Sequence, residues 1–307
     1  MQPATRARWE LHFCVVLWGF TSILGKLITL TALQLVWWRM LLVAAALLLV
    51  PAVWREVRHM PRRRIAAYAG IGVLVALHWL SFYSAVKLAN ASVAATCIAL
   101  APVFMTFIEP WVVRQKFQLR ELLLGAVAVP GVALVVGGVP ADMRVGVVVG
   151  VVSAVFCAAF GAFNKRMTND GSPLTVTAIE LGAGMLFLTG VTLVWHGEGT
   201  FVLPDAHDWV LLLVLSMICT LLPFALSLGV LRKLSAYSVQ LATNLEPVYA
   251  IILAALLLHE QRQLDAWFYA GVAIILGAVF AHPVLMRHRA ELPPETVLGT
   301  AESKALD

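Results

Sequence analysis

The sequence predicts an all-α integral membrane protein whose ten transmembrane helices form two five-helix repeats of inverted topology. Three observations predict it: too few charges to coat a water-soluble globule, apolar runs of helix length along almost the whole chain, and a series of residues that recurs half a chain later.

Of the 307 residues, 61% are hydrophobic and 13% are charged, and the mean hydropathy is +0.88. Soluble domains carry about 25% charged residues, so this chain lacks the polar surface of a soluble globule. A helix that crosses a bilayer needs about 20 predominantly apolar residues. Barrel strands would instead alternate apolar and polar positions over about 10 residues. The runs here are long and uniformly apolar, which leaves helices as the spanning element.

Residues 1–10 form a short segment expected on the cytoplasmic side. The first run, 11–31, follows Arg6 and Arg8 in the manner of a secretory leader, but its core is long and Lys26 interrupts it. No small-residue cleavage pattern follows, so it reads as a retained helix. Runs at 35–53, 65–85, 92–113 and 121–138 complete a first repeat over 11–138, and 139–144 is an external linker. Runs at 145–163, 174–195, 209–231, 238–258 and 266–286 make a second repeat over 145–286. The tail 287–307 is polar, contains two adjacent prolines and is expected to be disordered.

Orientation follows from the basic residues. With both termini cytoplasmic, seventeen of the 22 lysines and arginines fall on the inner side, from Arg6 and Arg8 through the "WREVRHMPRRR" loop to Lys304. Only Lys87, Arg144 and Arg262 fall outside, while Lys26 and Arg39 lie within helices. This is the positive-inside bias, so the net charge of +5 is a topology signal, with membrane lipids rather than nucleic acid as its partner. Cys14, Cys97, Cys157 and Cys219 each stand alone in an apolar run, which suits packing and neither disulfides nor zinc. No metal or cofactor is expected.

The internal repeat is carried by "ALAPVFMTFIEPWVVRQKFQLRELLLGAVAVPG" (99–131) and "NLEPVYAIILAALLLHEQRQLDAWFYAGVAIILG" (244–277), which set Pro102 under Pro247 and Gly125 and Gly131 under Gly271 and Gly277 at a spacing of 145 to 146 residues. Upstream, "KLANASVA" (87–94) answers "KLSAYSVQ" (233–240). Five helices per copy is odd, so the second copy enters the membrane from the opposite face, the arrangement secondary transporters use for alternating access.

Ten helices in two halves, "LWGFTSILGK" in the first helix, Arg39 early in the second, and the run of Pro247, Glu260, Gly271 and Gly277 together resemble the EamA-type drug/metabolite transporters over about residues 9–286. The first half has Gln115-Lys116 where the second has Glu260. The resemblance implies a multi-pass protein of the cytoplasmic membrane that exports or exchanges amino acids or other small metabolites without an ATPase domain.

A charge at a helix centre costs roughly 2.5–3.5 kcal/mol on insertion scales, so Lys26, Arg39, Glu109, Glu180 and Glu246 each require a reason. At about 1.5 Å per residue, Glu246 lies about 12 Å inside its predicted helix, near the midplane. Glu246, with Asn244 beside it, is the leading candidate for substrate or proton chemistry. Lys26 is placed in the external half of its helix. Glu109 lies near an inner helix end, where snorkelling competes with function. Counted from Ala32 and Pro173, Arg39 and Glu180 occupy matching positions and are expected to hold charge-paired gates at opposite ends. Pro102 and Pro247 are expected to kink their helices as hinges.

His78, Trp79, Phe82 and Tyr83, with Thr220, Pro223 and Phe224, are placed around the midplane, where His78 and Tyr83 suit hydrogen bonding to a polar ligand. Trp18 and Asn164 correspond under the repeat and are candidates for the same cavity. The GxxxG of Gly146 and Gly150 is expected to serve packing within one chain; oligomeric state is left open.

Secondary transport of a small-molecule substrate explains the duplication and the midplane polar groups. An uncoupled facilitator or channel is the alternative, although neither voltage-sensor spacing nor a filter-like sequence occurs. An integral-membrane enzyme is less consistent: "HEQRQ" (259–263) has Gln263 where a zinc-protease motif needs its second histidine. Proton coupling would run through Glu246.

Overall fold

The computed structural model describes residues 3–113, 119–167, 171–195, 202–223, 226 and 245–286, and every regular element among them is a helix. In chain order these are α1 (Pro3–Leu27), α2 (Ala32–Leu48), α3 (Pro51–His59), α4 (Arg62–Leu88), α5 (Ala91–Ile98), α6 (Ala101–Val113) and α7 (Leu119–Gly137). They are followed by α8 (Arg144–Arg166), α9 (Pro173–Trp195), α10 (Ala206–Leu213), α11 (Glu246–Leu258) and α12 (Ala266–Met286).

Helices α4, α7, α8, α9 and α12 cover their expected runs within a few residues. The departures have local causes. The first helix ends at Leu27 rather than at residue 31, because Thr31 already begins α2 with a capping box: its hydroxyl accepts from the Gln34 amide and the Gln34 side chain accepts from the Thr31 amide. The second run does not continue straight to residue 53. Its helix stops at Leu48 and α3 leaves at 89°, since Pro51 has no N–H to extend a ladder and holds Val50 extended.

The run 92–113 is likewise two helices, broken at Ala99-Leu100, with Pro102 in the first turn of α6. Following α10, Val214–Leu221 winds as a wider π-turn in which the Leu222 amide reaches back to the Met217 carbonyl, just before Pro223. In the run 238–258 the described helix starts only at Glu246; 238–244 and the tail 287–307 lie outside the described residues.

Among the described residues, five helical stretches are long and apolar enough to cross a membrane: Trp9–Leu27, Arg62–Leu88, Ala91–Val112, Ala141–Asn164 and Pro173–Val194. The α2–α3 pair counts as a sixth only if it is taken as one span through its 89° bend, and Ala126–Gly137, Ala206–Leu221, Glu246–Leu258 and Ala266–Ala281 are shorter apolar helices. The chain is a multi-pass membrane protein.

The two stretches of sequence that read as repeats do not fold into separate bodies. Helix α4 packs on α8 and α9, α7 on α12, α1 on α11, α6 on α8, and α2 on α9 and on the wide turn after α10. One buried cluster joins side chains of α2, α4, α9 and α10 with its wide turn, and a second joins α5, α7, α8 and α12. Gly146 and Gly150 face inward, where an added Cβ would come within 2.7 Å of Ala89 and 2.8 Å of Cys97, so the GxxxG serves packing inside the chain. Cys14, Cys97 and Cys219 are buried and unbridged, as packing residues would be.

Candidate functional site

Helices α2 and α9 start at Ala32 and Pro173, so Arg39 and Glu180 are each the eighth residue of their helix. Their surroundings differ from the expected charge pairs. The Arg39 guanidinium is 5% exposed and donates through Nε and Nη2 to Thr220 Oγ1, at 3.0 and 2.8 Å, and through Nη1 to Tyr83 Oη at 2.7 Å. The Trp79 ring lies under its Cζ at 3.7 Å, a cation–π contact that holds the planar group flat. No carboxylate among the described residues lies within salt-bridge distance of it, so hydroxyls and a ring stand where a carboxylate was expected.

This cluster depends on backbone features of three helices. Tyr83 packs into α1 at Gly25, where an added Cβ would come within 2.4 Å of its ring. That explains the second glycine of "LWGFTSILGK": the site needs a gap in α1 for an aromatic ring of α4. Thr220 belongs to the wide turn and donates its own hydroxyl to the Leu215 carbonyl at 2.7 Å. Its oxygen lone pairs therefore remain for Arg39.

His78, one turn before Tyr83, is tied to α8. Its Nδ1 lies 3.0 Å from the Ser153 carbonyl and 2.9 Å from the Ser153 hydroxyl, which itself donates to the His78 carbonyl at 3.0 Å. A carbonyl only accepts, so Nδ1 carries the hydrogen of that contact. Phe82 and Phe160 border the ring at 6.2 and 5.4 Å between centroids.

Glu246 is the first residue of α11 and Pro247 the second. It is partly exposed and near enough to Arg39, Tyr83 and Cys157, on α2, α4 and α8, for an electrostatic interaction with each. The expected kink takes another form at both prolines. Each sits in a first helical turn, where its missing N–H leaves no bond unmade. A helix start also suits Glu246, because the free N–H groups and the dipole there favour an anion.

Glu180 is 7% exposed; Asn164 donates to its Oε2 at 3.5 Å, and its Oε1 is buried with no hydrogen-bond partner among the described residues. Trp18 packs with Leu11, Val15, Leu245 and Tyr249 beside the start of α11. Lys26 is shallower than expected: α1 ends one residue later, the side chain is exposed, and it donates to the Ala89 carbonyl at 3.2 Å. Glu109 is partly exposed on α6. Asn244 lies outside the described residues. The structure thus brings together Arg39, Trp79, Tyr83, His78 and Glu246, pairs Asn164 with Glu180 separately, and leaves Lys26 at a helix end.

Other polar residues have partners that the sequence did not indicate. Ser153 is the partner of His78. Glu260, 2% exposed, accepts from the amides of Ala91 and Ser92 at 2.9 and 2.8 Å and from the Ser92 hydroxyl at 2.7 Å, capping α5 from across the chain. Glu56 on α3 accepts from the amide and hydroxyl of Ser172 and from the Thr175 hydroxyl at the start of α9. Asp205, His207 and Asp208 lie close enough for a metal, but Asp205 caps α10 and Asp208 accepts from the amide and hydroxyl of Thr29.

The profile of the EamA-like transporter family matches residues 11–137 and 144–282. The Bacillus subtilis (strain 168) protein named uncharacterized transporter YxxF is 22% identical over 197 residues, which are 62% of this chain and 62% of that protein. The match therefore spans less than two thirds of that relative's length. A solved crystal structure, 15% identical, superposes with a TM-score of 0.60 over 92% of this chain and 98% of its own, a likeness of fold.

Proposed function

Because the chain belongs to the EamA-like transporter family and is a membrane transporter, we propose that it works as a secondary transporter of amino acids or other small metabolites, by alternating access around the Arg39–Glu246 centre. Ten crossings supply it: the five full-length spans, α2 as far as its bend into α3, and the four shorter apolar helices. They divide into inverted repeats over 11–138 and 145–286, with both termini in the cytoplasm and the protein in the cytoplasmic membrane.

Reciprocal helix pairing supports the inverted repeat. If α1, α2, α4, α5–α6 and α7 correspond to α8, α9, α10, α11 and α12, then α4 on α8 is matched by the α10 segment on α1, and α4 on α9 by the α10 segment on α2. Likewise α1 on α11 is matched by α8 on α5 and α6, while α2 on α9 and α7 on α12 map onto themselves. Such pairing lets the two halves exchange conformations.

The observation that carries the reading is that a buried cation and a carboxylate from opposite halves, Arg39 and Glu246, lie within electrostatic reach of each other though beyond salt-bridge distance, beside aromatic and hydroxyl side chains at a helix start. Helices that begin inside the membrane place backbone and dipole where a polar solute needs partners. Export is the direction the family resemblance favours, and coupling to protons runs through Glu246. No cofactor enters the scheme, and the chemistry is translocation rather than bond making.

Reconstitution in liposomes tests this. Counterflow of a radiolabelled metabolite is expected for the wild type, and Glu246→Gln is expected to lower it at least tenfold and to flatten its pH dependence. Undiminished, pH-dependent counterflow by Glu246→Gln would remove Glu246 from the mechanism. Solute movement with no proton flux would replace coupled transport by facilitated exchange.

A further inference from the structure

Among the described residues, Arg39 carries a full positive charge into the packed interior with only neutral hydrogen-bond and ring partners. Burying an ion costs several kcal/mol even after relaxation, and a nearby opposite charge is the usual compensation. Here the partners are the Thr220 and Tyr83 hydroxyls and the Trp79 face. Glu246 exerts an electrostatic pull but lies beyond salt-bridge distance.

These partners orient the cation without neutralising it. Thr220 bridges Nε and Nη2, and Tyr83 takes one hydrogen of Nη1. Three of the five N–H groups are thereby engaged. The ring at 3.7 Å fixes the guanidinium plane, and Thr220 is itself immobilised by its bond to Leu215. A planar, immobilised guanidinium with donors to spare is the partner that fits a carboxylate in two-point fashion.

We propose that Arg39 is the subsite for a carboxylate group on the transported molecule. The inference rests on the transport reading and gives that site a ligand chemistry. The carboxylate supplies the missing negative charge, Trp79 and Phe82 border its apolar part, and Glu246 and His78 are left for other polar groups. The position on α2 also links binding to movement: Arg39 ties α2 to α4 and, through Thr220, to the wide turn in the opposite half.

The test uses full-length protein in liposomes and a panel of small carboxylic acids, amino acids included, each paired with its primary amide. The amide keeps the size and removes the charge. At least one acid is expected to support counterflow with its amide weaker by about tenfold or more, the discrimination typical of a site built around a specific polar contact. Arg39→Gln should abolish that acid-to-amide ratio. Arg39→Lys, which keeps the charge but not the fork, should retain preference for the acid with weaker apparent affinity.

Thermal denaturation of the ligand-free variants separates a scaffolding role, which would lower stability and leave the acid-to-amide ratio intact. Equal counterflow of acids and amides, transport confined to cations, or a preserved ratio in Arg39→Gln would overturn the assignment while leaving transport standing. Absence of counterflow by every compound tried, charged or neutral, would instead count against the transport reading itself.

Discussion

Glu246 begins α11, so a carboxylate and a proline that would each be costly within a continuous helix occupy the place where both are favourable. Glu56 solves a similar problem at the start of α9. Partial burial pushes its carboxyl up, but the hydroxyls of Ser172 and Thr175 and the Ser172 amide outweigh that and hold it below the ordinary glutamate value of 4.5. Since the folded value is the lower one, the contact's stabilisation is present above the unfolded value and is lost as pH falls through the folded one. Glu56→Gln is therefore expected to be less stable than the wild type by about 1 kcal/mol at neutral pH, with the two proteins converging in acid. Thermal denaturation in detergent across pH measures this, and a gap that ignored pH would mean that Glu56 acts by packing alone.

At the scale of the helix, the breaks matter as much as the spans. Because Pro102 and Pro247 stand in first turns, Pro102→Ala and Pro247→Ala are expected to change stability by less than about 1 kcal/mol. Turnover should nevertheless fall while apparent substrate affinity holds, since alanine permits the ladder to run through the break. Initial rates against substrate concentration separate the two; unchanged turnover would deny these breaks a role as hinges. Long apolar runs made the helices themselves legible in sequence, down to α12 at 266–286 and the start of α9 at Pro173. The break at Ala99-Leu100 was not, because neither residue disfavours helix and only the proline beyond hints at it. Arg39, Trp79 and Tyr83 stood out as polar or aromatic groups in apolar sequence. Their pairing with Thr220, and that of His78 with Ser153, was hidden, since facing cannot be read from helices apolar on every side. The partners of Glu56 and Glu260 were hidden as well, because a carboxylate expected in a loop is unremarkable in water and reveals what it holds only once the fold is built.

Across the whole molecule, Glu260 joins sequence-distant parts: a residue after α11 holds the start of α5 through three hydrogen bonds. In the proposed orientation this clasp lies at the external end. Glu260→Gln keeps the shape but leaves one acceptor atom for three donors, so the external end should open more readily. A single cysteine introduced at Ala91 in a cysteine-free background is expected to react several-fold faster with an impermeant maleimide in this variant than in its Glu260 parent. Equal labelling would show that the clasp does not limit opening.

The interleaving of the two halves also bears on how the protein is made. When the ribosome has delivered α1 to α7, the faces of α4 and α7 that belong against α8, α9 and α12 have only lipid or an insertion factor to cover them. The first half must therefore wait in the bilayer as an unfinished assembly, and its helices reach their final neighbours only as the second half is inserted, α7 last of all. Chains that terminate early are thus left as substrates for membrane proteolysis rather than as half-sized transporters.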